Sequence, residues 1–146
     1  MSVHKKFEAK LAKYVHCHAH RLNLALADSV KAVQPIAEFF VLLEKLYVYV
    51  SGSLVHARWL EIQKELFPGE RPRELQRLSD TRWSCRYAAC RAVRDRLTAV
   101  LKLLNELASG NSANRAVEAC SLLKAVDMHF VVMLVLMCDI SGRTLS

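Results

Sequence analysis

A cluster of metal-competent side chains lies near the amino terminus, in the segment HCHAH. Four of its side chains can ligate zinc: His16, Cys17, His18 and His20. On a helix, Cys17 and His20 would share a face, whereas on a strand the histidines would share a face and Cys17 would point away. Neither geometry supplies four ligands, and no second Cys/His cluster follows along the chain. The spacing therefore favours structural roles, with Cys17 as a small buried apolar side chain and His20 hydrogen-bonded in the interior.

A second candidate is the motif TRWSCR, in which two arginines flank a tryptophan. Arg82 and Arg86 are four residues apart and project together from a helix. Positive charge is disfavoured at a helix start, while free backbone N–H groups there suit an anion. The two arginines could hold a phosphate or an acidic side chain, and Trp83 could stack on a base. From the spacing alone the internal alternative is favoured, in which Trp83 is a core residue and the arginines pair with Asp80 or Glu74.

These arginines belong to a larger basic block. The chain has a formal net charge of +7, and residues 71–96 contain eight arginines, no lysine and three acidic residues. Such a block is typical of a protein with an anionic partner such as nucleic acid. The alternative is a solvated face whose charges pair within the protein.

Other catalytic chemistry has no signal in this sequence. No Gly-x-Ser-x-Gly motif frames a serine, no glycine-rich loop would cradle a phosphate, and the scattered acidic residues indicate no two-metal site. The five cysteines include no Cys-x-x-Cys pair, which favours free thiols in a reducing compartment. The longest apolar run, at 130–138, is too short to cross a bilayer. We therefore expect a soluble intracellular protein without a metal, a cofactor, a small-molecule substrate or a membrane partner.

Helical periodicity dominates the elements that must position these residues. Pro35 suits the first turn of a helix, and Ser79 or Asp80 can cap a later one. FVVMLVLM at 130–137 could be a buried strand, but its continuity with the preceding residues favours helix. A helix at 19–33 is expected to carry an apolar side made of Leu22, Leu26 and Val33. The predicted elements are a helix at 3–12, a strand at 13–17, and helices at 19–33, 35–50, 54–66, about 80–108 and from 113 onward.

Two motifs in this order resemble the hAT transposase superfamily, in particular its domesticated zinc-finger MYM-type or hAT-like members. The first is YVHCHAHRLNLALADSV, in which a Cys-x-x-His pair falls on Cys17 and His20 before HRLNL. The second is LSDTRWSCRYAA, in which the Arg-Trp pair falls on Arg82 and Trp83. Between them, EFFVLLEKLYVYVSGS resembles the family in its paired phenylalanines, the Leu-Tyr that follows and the serine-rich break at its end. The resemblance covers most of the chain.

The resemblance implies a mainly α fold in which a partial RNase H-like α/β core edge is followed by a helical insertion. Residues 1–34 would be the remnant of that core, with a helix, one short strand and a second helix. Residues 35–146 would be the helical insertion-type region. The Cys17 and His20 pair would then support the core structurally.

The resemblance also implies DNA cut-and-paste transposition, with two aspartates and a glutamate that hold divalent metals. This sequence departs from the family there, because the catalytic positions would lie before Met1 and after Ser146. None of Asp28, Asp80 or Asp139 matches one of them, and the family's amino-terminal zinc finger is absent as well. For the Arg-Trp pair, Arg82 and Trp83, the resemblance implies contact with DNA or with a displaced base.

Two functions follow as expectations. The first is a truncated, catalytically inactive transposase-derived protein that acts as a helical scaffold or interaction module with a basic Arg-Trp corner. The second is a DNA-binding remnant that uses residues 71–96, with Arg82, Trp83 and Arg86 at the nucleic acid. The expected partners are DNA, a related transposase-like chain or a second copy, and the resemblance implies a nuclear location.

Overall fold

A computed structural model describes residues 21–79 and 82–145, with side chains up to residue 143. Within these residues the secondary structure is helical, with no strand, so the prediction of a mainly α chain is confirmed. The predicted helix at 3–12, the strand at 13–17 and the Cys17–His20 pair lie outside the described residues. The RNase H-like edge and the division after residue 34 stay predictions. The helices are α1 (21–32 as described), α2 (Gln34–Val50), α3 (Ser53–Leu66), α4 (Trp83–Asp95), α5 (Leu97–Ala108), α6 (Ala113–Ala125) and α7 (Met128–Leu145).

The α1–α2 junction lies where the proline predicts it. Val33 leaves the helical conformation (φ −99°, ψ 103°), and Pro35 occupies the first turn of α2, where its missing N–H removes no hydrogen bond. The predicted apolar side of α1 is wrong for two of its three residues, because Leu22 and Val33 are 59% and 47% exposed. Ala27 and Val30 are the buried side chains of this helix.

The hydrophobic core is built around α2 and α3. Phe39 packs its ring 5.1 Å from the rings of both Phe40 and Phe130, which joins α2 to α7. Trp59 and Ile62 of α3 are fully buried in the same core. Helix α5 packs against α3 and α6, and α4 packs against α7. This arrangement leaves the outer surface of α4 facing the segment that joins α3 to α4.

The predicted long helix at 80–108 is two helices in the structure. Arg96 adopts a non-helical conformation (φ −122°, ψ 21°) between α4 and α5. Its side chain is 4% exposed and is held by groups from the preceding loop, described below. Tertiary contacts of one buried arginine thus override a helical pattern that contains no glycine or proline.

The carboxyl-terminal helical region is also divided. Val126 leaves the helical conformation (φ −80°, ψ 65°), and Asp127 caps the next helix by accepting a 2.9 Å hydrogen bond from the N–H of Phe130. The FVVMLVLM run that follows is helical, as expected. Among the described residues, no single helix has both the length and the apolar character needed to span a bilayer.

Candidate nucleic-acid interface

The segment between α3 and α4 carries much of the basic block. We call residues 67–79 of this segment the arginine loop. Its backbone forms no helix or strand, so its shape depends on side chains that reach it from the core. Leu75 is the loop's own buried anchor, at 7% exposure.

Two buried side chains of α3 hold the middle of the arginine loop. The indole N–H of Trp59 and the amide Nε2 of Gln63 each donate a 3.0 Å hydrogen bond to the backbone oxygen of Arg73. The backbone N–H of Arg73 donates in return to Oε1 of Gln63, at 2.8 Å. Both backbone polar groups of Arg73 are therefore satisfied from the core, and its side chain is directed to the surface.

Arg96 ties the start of the loop to the same glutamine. Its Nε donates to Oε1 of Gln63 at 3.2 Å, and its Nη2 donates to Oε2 of Glu70 at 2.7 Å. Its guanidinium carbon lies 4.2 Å from the ring centroid of Phe67, a cation–π distance. One of the eight arginines is therefore an internal support rather than part of a binding surface.

The end of the loop is fixed by α2. The N–H of Leu78 donates a 3.0 Å hydrogen bond to Oε2 of Glu44. The exposed guanidinium of Arg77 lies 3.8 Å from the other oxygen of the same carboxylate. Glu44 therefore orders the backbone next to the arginine while offsetting part of its charge.

Three arginines converge on one carboxylate at the outer surface of α4. Arg73 approaches Oδ2 of Asp95 at 2.5 Å, Arg94 approaches Oδ1 at 3.0 Å, and Arg91 lies 3.8 Å from Oδ2. We call these four residues the Asp95 cluster. The three guanidinium side chains are 40–53% exposed, whereas the aspartate is 23% exposed. The cluster presents two positive charges in excess to the solvent.

The electrostatics of Asp95 reflect this excess. Burial on its own would raise the pKa of the Asp95 carboxyl, but the hydrogen bond from Arg94 and the charges of Arg94 and Arg73 outweigh burial. The pKa of Asp95 is therefore lowered, and the group is a carboxylate at neutral pH. It draws the cationic side chains together without neutralising them all.

A cavity of about 480 Å³ opens beside the Asp95 cluster. Arg73 and Gln76 of the arginine loop form one wall, and Tyr87 and Arg91 of α4 form the other. Glu74 at its edge is engaged by His56 through a 2.8 Å hydrogen bond. The cavity therefore offers two guanidinium groups, an amide and an aromatic ring to a ligand, which suits phosphate oxygens and an adjoining sugar.

The Arg-Trp motif lies at the start of α4, but its members do not share an accessible face. Trp83 is 4% exposed and Arg86 is 5% exposed. The guanidinium carbon of Arg86 lies 4.6 Å from the ring centroid of Phe40. Arg82, at the amino-terminal cap of α4, is exposed.

This placement matches the core alternative for Trp83, since a ring buried to this extent offers no face to a base. The indole N–H of Trp83 has no hydrogen-bond partner among the described residues. Glu74, which the sequence offered as a partner for Arg82 or Arg86, pairs with His56, and Asp80 lies outside the described residues. A nucleic-acid role for the three motif residues stays a prediction.

Asp95 and Gln63 are the residues that sequence reasoning missed. The i, i+4 spacing of Arg91 and Asp95 on a helix was a usable signal for part of the cluster. The contact with Arg73 joins residues on separate elements and depends on Gln63, which looks from its sequence position like an ordinary polar helix residue.

Among the described residues, no three His, Cys, Asp or Glu side chains form a group that could hold a metal ion. Comparison with known proteins adds no assignment: no family model, curated protein or solved structure matches this chain.

Proposed function

We propose that this chain is a non-catalytic helical module derived from a hAT-type transposase, and that it binds DNA through the Asp95 cluster. The derivation rests on the resemblance of HCHAHRLNL and SDTRW to the family's paired motifs, in the family's order. The mainly helical structure is compatible with the family's helical insertion. A nuclear location belongs to the same proposal.

The observation that supports DNA binding is the excess of positive over negative charge at the Asp95 cluster. Here three guanidinium groups share a single carboxylate, at the edge of an open cavity. Such an arrangement leaves donors that a phosphate can satisfy bidentately. It favours DNA binding over a helical scaffold that contacts only proteins.

The contacts expected from this surface are to the DNA backbone. Arg73, Arg91 and Arg94 would bind phosphates, and exposed Arg82 would extend the surface toward the start of α4. Trp83 and Arg86 would act indirectly, since both are buried at the start of α4 and Arg86 lies over the ring of Phe40 of α2. Recognition through phosphates fixes position without reading bases, so we expect weak sequence preference.

The test is a salt titration of DNA affinity, measured by fluorescence anisotropy with a labelled duplex. Each phosphate contact contributes about 0.9 to the slope of log affinity against log salt. Arg91→Ala combined with Arg94→Ala should therefore reduce that slope by about 1.8 and weaken binding. Asp95→Asn should strengthen binding, because it removes the carboxylate that competes with phosphate for three arginines.

A matched control removes the same charge elsewhere. Lys45 and Lys124 are exposed on α2 and α6, and their double alanine variant loses two positive charges away from the Asp95 cluster. This variant should keep most of the slope of log affinity against log salt. Equal losses in both double variants would mean non-specific attraction to net charge. A flat salt response in the parent protein would remove DNA binding and leave the scaffold or interaction module as the function.

A further inference from the structure

Helix α7 has an apolar surface on the side that faces away from the core. Its inner side buries Phe130, Leu134 and Met137, each at 3% exposure or less. Its outer side carries five of the large apolar side chains that are exposed among the described residues, namely Met128 (75%), Val132 (56%), Val135 (48%), Leu136 (46%) and Ile140 (44%). We call these five residues the outer α7 face.

The five residues of the outer α7 face lie on one side of the helix rather than around it. At 3.6 residues per turn, its side chains fall within about 140° of arc over a length of about 18 Å. Other exposed apolar side chains, such as Val48 on α2 and Val117 on α6, do not form such a stripe on their helices. A contiguous apolar stripe rimmed by polar residues is typical of a protein-binding surface.

Four of the five residues of the outer α7 face form pairs at equal distances from Leu134, while Val135 has no counterpart because Met133 is buried. Leu134 lies midway between Val132 and Leu136, and also midway between Met128 and Ile140. Two polar residues that project within the same arc obey the same relation, since His129 and Asp139 are exposed at equal distances from Leu134. A helix turned end to end about Leu134 therefore sets Val132 against Leu136, Met128 against Ile140, and His129 against Asp139.

We propose that the outer α7 face binds a second copy of this chain, with the two α7 helices antiparallel about a two-fold axis near Leu134. The axis places Val132 of each copy against Leu136 of the other. It also places the imidazole of each His129 beside the carboxylate of the other Asp139, where the ring donates a hydrogen bond whether or not it is charged. Each contact occurs twice, as a two-fold interface requires.

Charge complementarity selects a second copy over an unrelated partner. A parallel pair would place Asp139 against Asp139 and His129 against His129, which gains nothing and opposes like charges. An unrelated partner would have to supply its own carboxylate and imidazole or cation opposite His129 and Asp139, whereas a second copy supplies both. The proposal concerns a surface distinct from the Asp95 cluster, and its test uses no nucleic acid.

The first measurement is the mass of the 146-residue protein in solution by sedimentation equilibrium over a range of concentrations. The expected result is a reversible equilibrium between one and two copies of the 16.6 kDa chain. Val132→Glu should shift it to the monomer by at least about tenfold in dissociation constant, because it places a carboxylate at the centre of the apolar contact. Val48→Glu, at an equally exposed valine on α2, should leave the equilibrium unchanged.

The second measurement exchanges the two charged positions, so that misfolding of a single variant cannot explain the result. Asp139→Lys should weaken the pair, because it opposes His129 of the other copy with a cation. Adding His129→Asp to that variant should restore association. The two positions are about 15 Å apart along one helix, so restoration cannot arise within a chain.

Several outcomes would overturn the proposal. They are a monomer at every concentration, unchanged association in Val132→Glu, and failure of the double exchange to recover what Asp139→Lys loses. Assemblies that grow beyond two copies would also overturn it, since a closed two-fold pair buries its whole interface. Coverage of the outer face by residues 1–20 of the same chain would appear as a stable monomer.

Discussion

The side-chain amide of Gln63 hydrogen-bonds both backbone groups of Arg73, donating to the oxygen at 3.0 Å and accepting from the N–H at 2.8 Å. The same oxygen of Gln63 also accepts from Nε of Arg96 at 3.2 Å. One buried amide thus connects α3, the arginine loop and the break between α4 and α5. The position of Arg73 in the Asp95 cluster depends on this connection.

Replacing Gln63 with leucine should loosen the arginine loop. The substitution leaves the N–H of Arg73 and Nε of Arg96 without their acceptor, at a cost of about 1–3 kcal/mol for an unsatisfied buried polar group. Faster hydrogen exchange at the loop amides and a lower midpoint of urea unfolding would register the effect. Gln76→Leu, an exposed glutamine in the same loop, should change neither quantity. Unchanged loop exchange in Gln63→Leu would show that the loop is held by other contacts.

The two tryptophans should respond differently to phenylalanine. Both are buried, but the indole N–H of Trp59 donates to Arg73 O at 3.0 Å, whereas that of Trp83 has no hydrogen-bond partner among the described residues. Both changes remove ring volume, and only Trp59→Phe also removes a hydrogen bond. We expect Trp59→Phe to cost about 1–2 kcal/mol more of unfolding free energy. Urea unfolding measures the difference, and equal costs would contradict it.

Arg58 should control how the protein responds to acid. It pairs with Glu61 and Glu65 on its own helix and with Glu106 on α5. Hydrogen bonds from Arg58 lower the pKa of Glu106, and those from Lys102 and then Arg58 lower the pKa of Glu65, both below the ordinary value of 4.5. Stability from these groups is present above about pH 4.5 and is lost as the pH falls through their folded pKa values.

Arg58→Met should therefore lower stability at pH 7 modestly, by a few degrees of melting temperature at most for partly exposed ion pairs, and should flatten the loss of stability on acidification. Thermal melts between neutral and acidic pH test this expectation. Lys124→Met, which removes an exposed cation from α6, should leave the shape of the acid profile as in the parent. A profile of melting temperature against pH that is the same for Arg58→Met and the parent would contradict this expectation.

Cys90 should be almost inert to alkylation in the folded protein. Burial, together with the nearby Cys138, raises the pKa of its thiol from 9.0 to about 12. Only the thiolate reacts, and this shift reduces its fraction roughly 1000-fold at neutral pH. Mass spectrometry after brief treatment with iodoacetamide should find Cys120, which is exposed, modified well before Cys90. Similar rates for the two thiols in the native protein, as expected only after unfolding, would refute the prediction.

The raised pKa of the Cys90 thiol also predicts that its contribution to stability falls at alkaline pH. Its pKa is higher in the folded chain than in the unfolded one, so its contribution is complete below about pH 9.0 and declines as the pH rises towards 12. Cys90→Ala should lose less stability than the parent across that interval when the two are compared by urea unfolding.

The sequence predicted the helices of the chain better than their ends and faces. The start of α2 followed from Pro35, because proline fits only the first turn of a helix. The break at Arg96 has no local signal, since it comes from contacts with Gln63 and Glu70 that only the folded chain creates. The buried side of α1 was misjudged because leucines occur around much of that helix, and periodicity alone does not say which side meets α2.

The sequence predicted the region of the candidate site but not the arrangement of its side chains. The arginine block placed the candidate surface within residues 71–96, and a nucleic-acid role for that block stays a prediction. It could not distinguish Arg96, which is buried, from Arg91, which is exposed. Charge counting also missed that Asp95 gathers three arginines, because one of them arrives from a loop whose path is set by α3.

The packing of α4 on α7 links the two surfaces described above. Cys138 of α7 lies close enough to Arg94 and Asp95 for their charges to act on the pKa of its thiol. A pair formed through α7 would therefore carry two Asp95 clusters on one rigid particle. Two weak sites held at a fixed separation bind one long ligand with a high effective concentration for the second contact. Affinity for DNA would then depend on the length of the duplex as well as on salt, with a threshold at the span between the clusters.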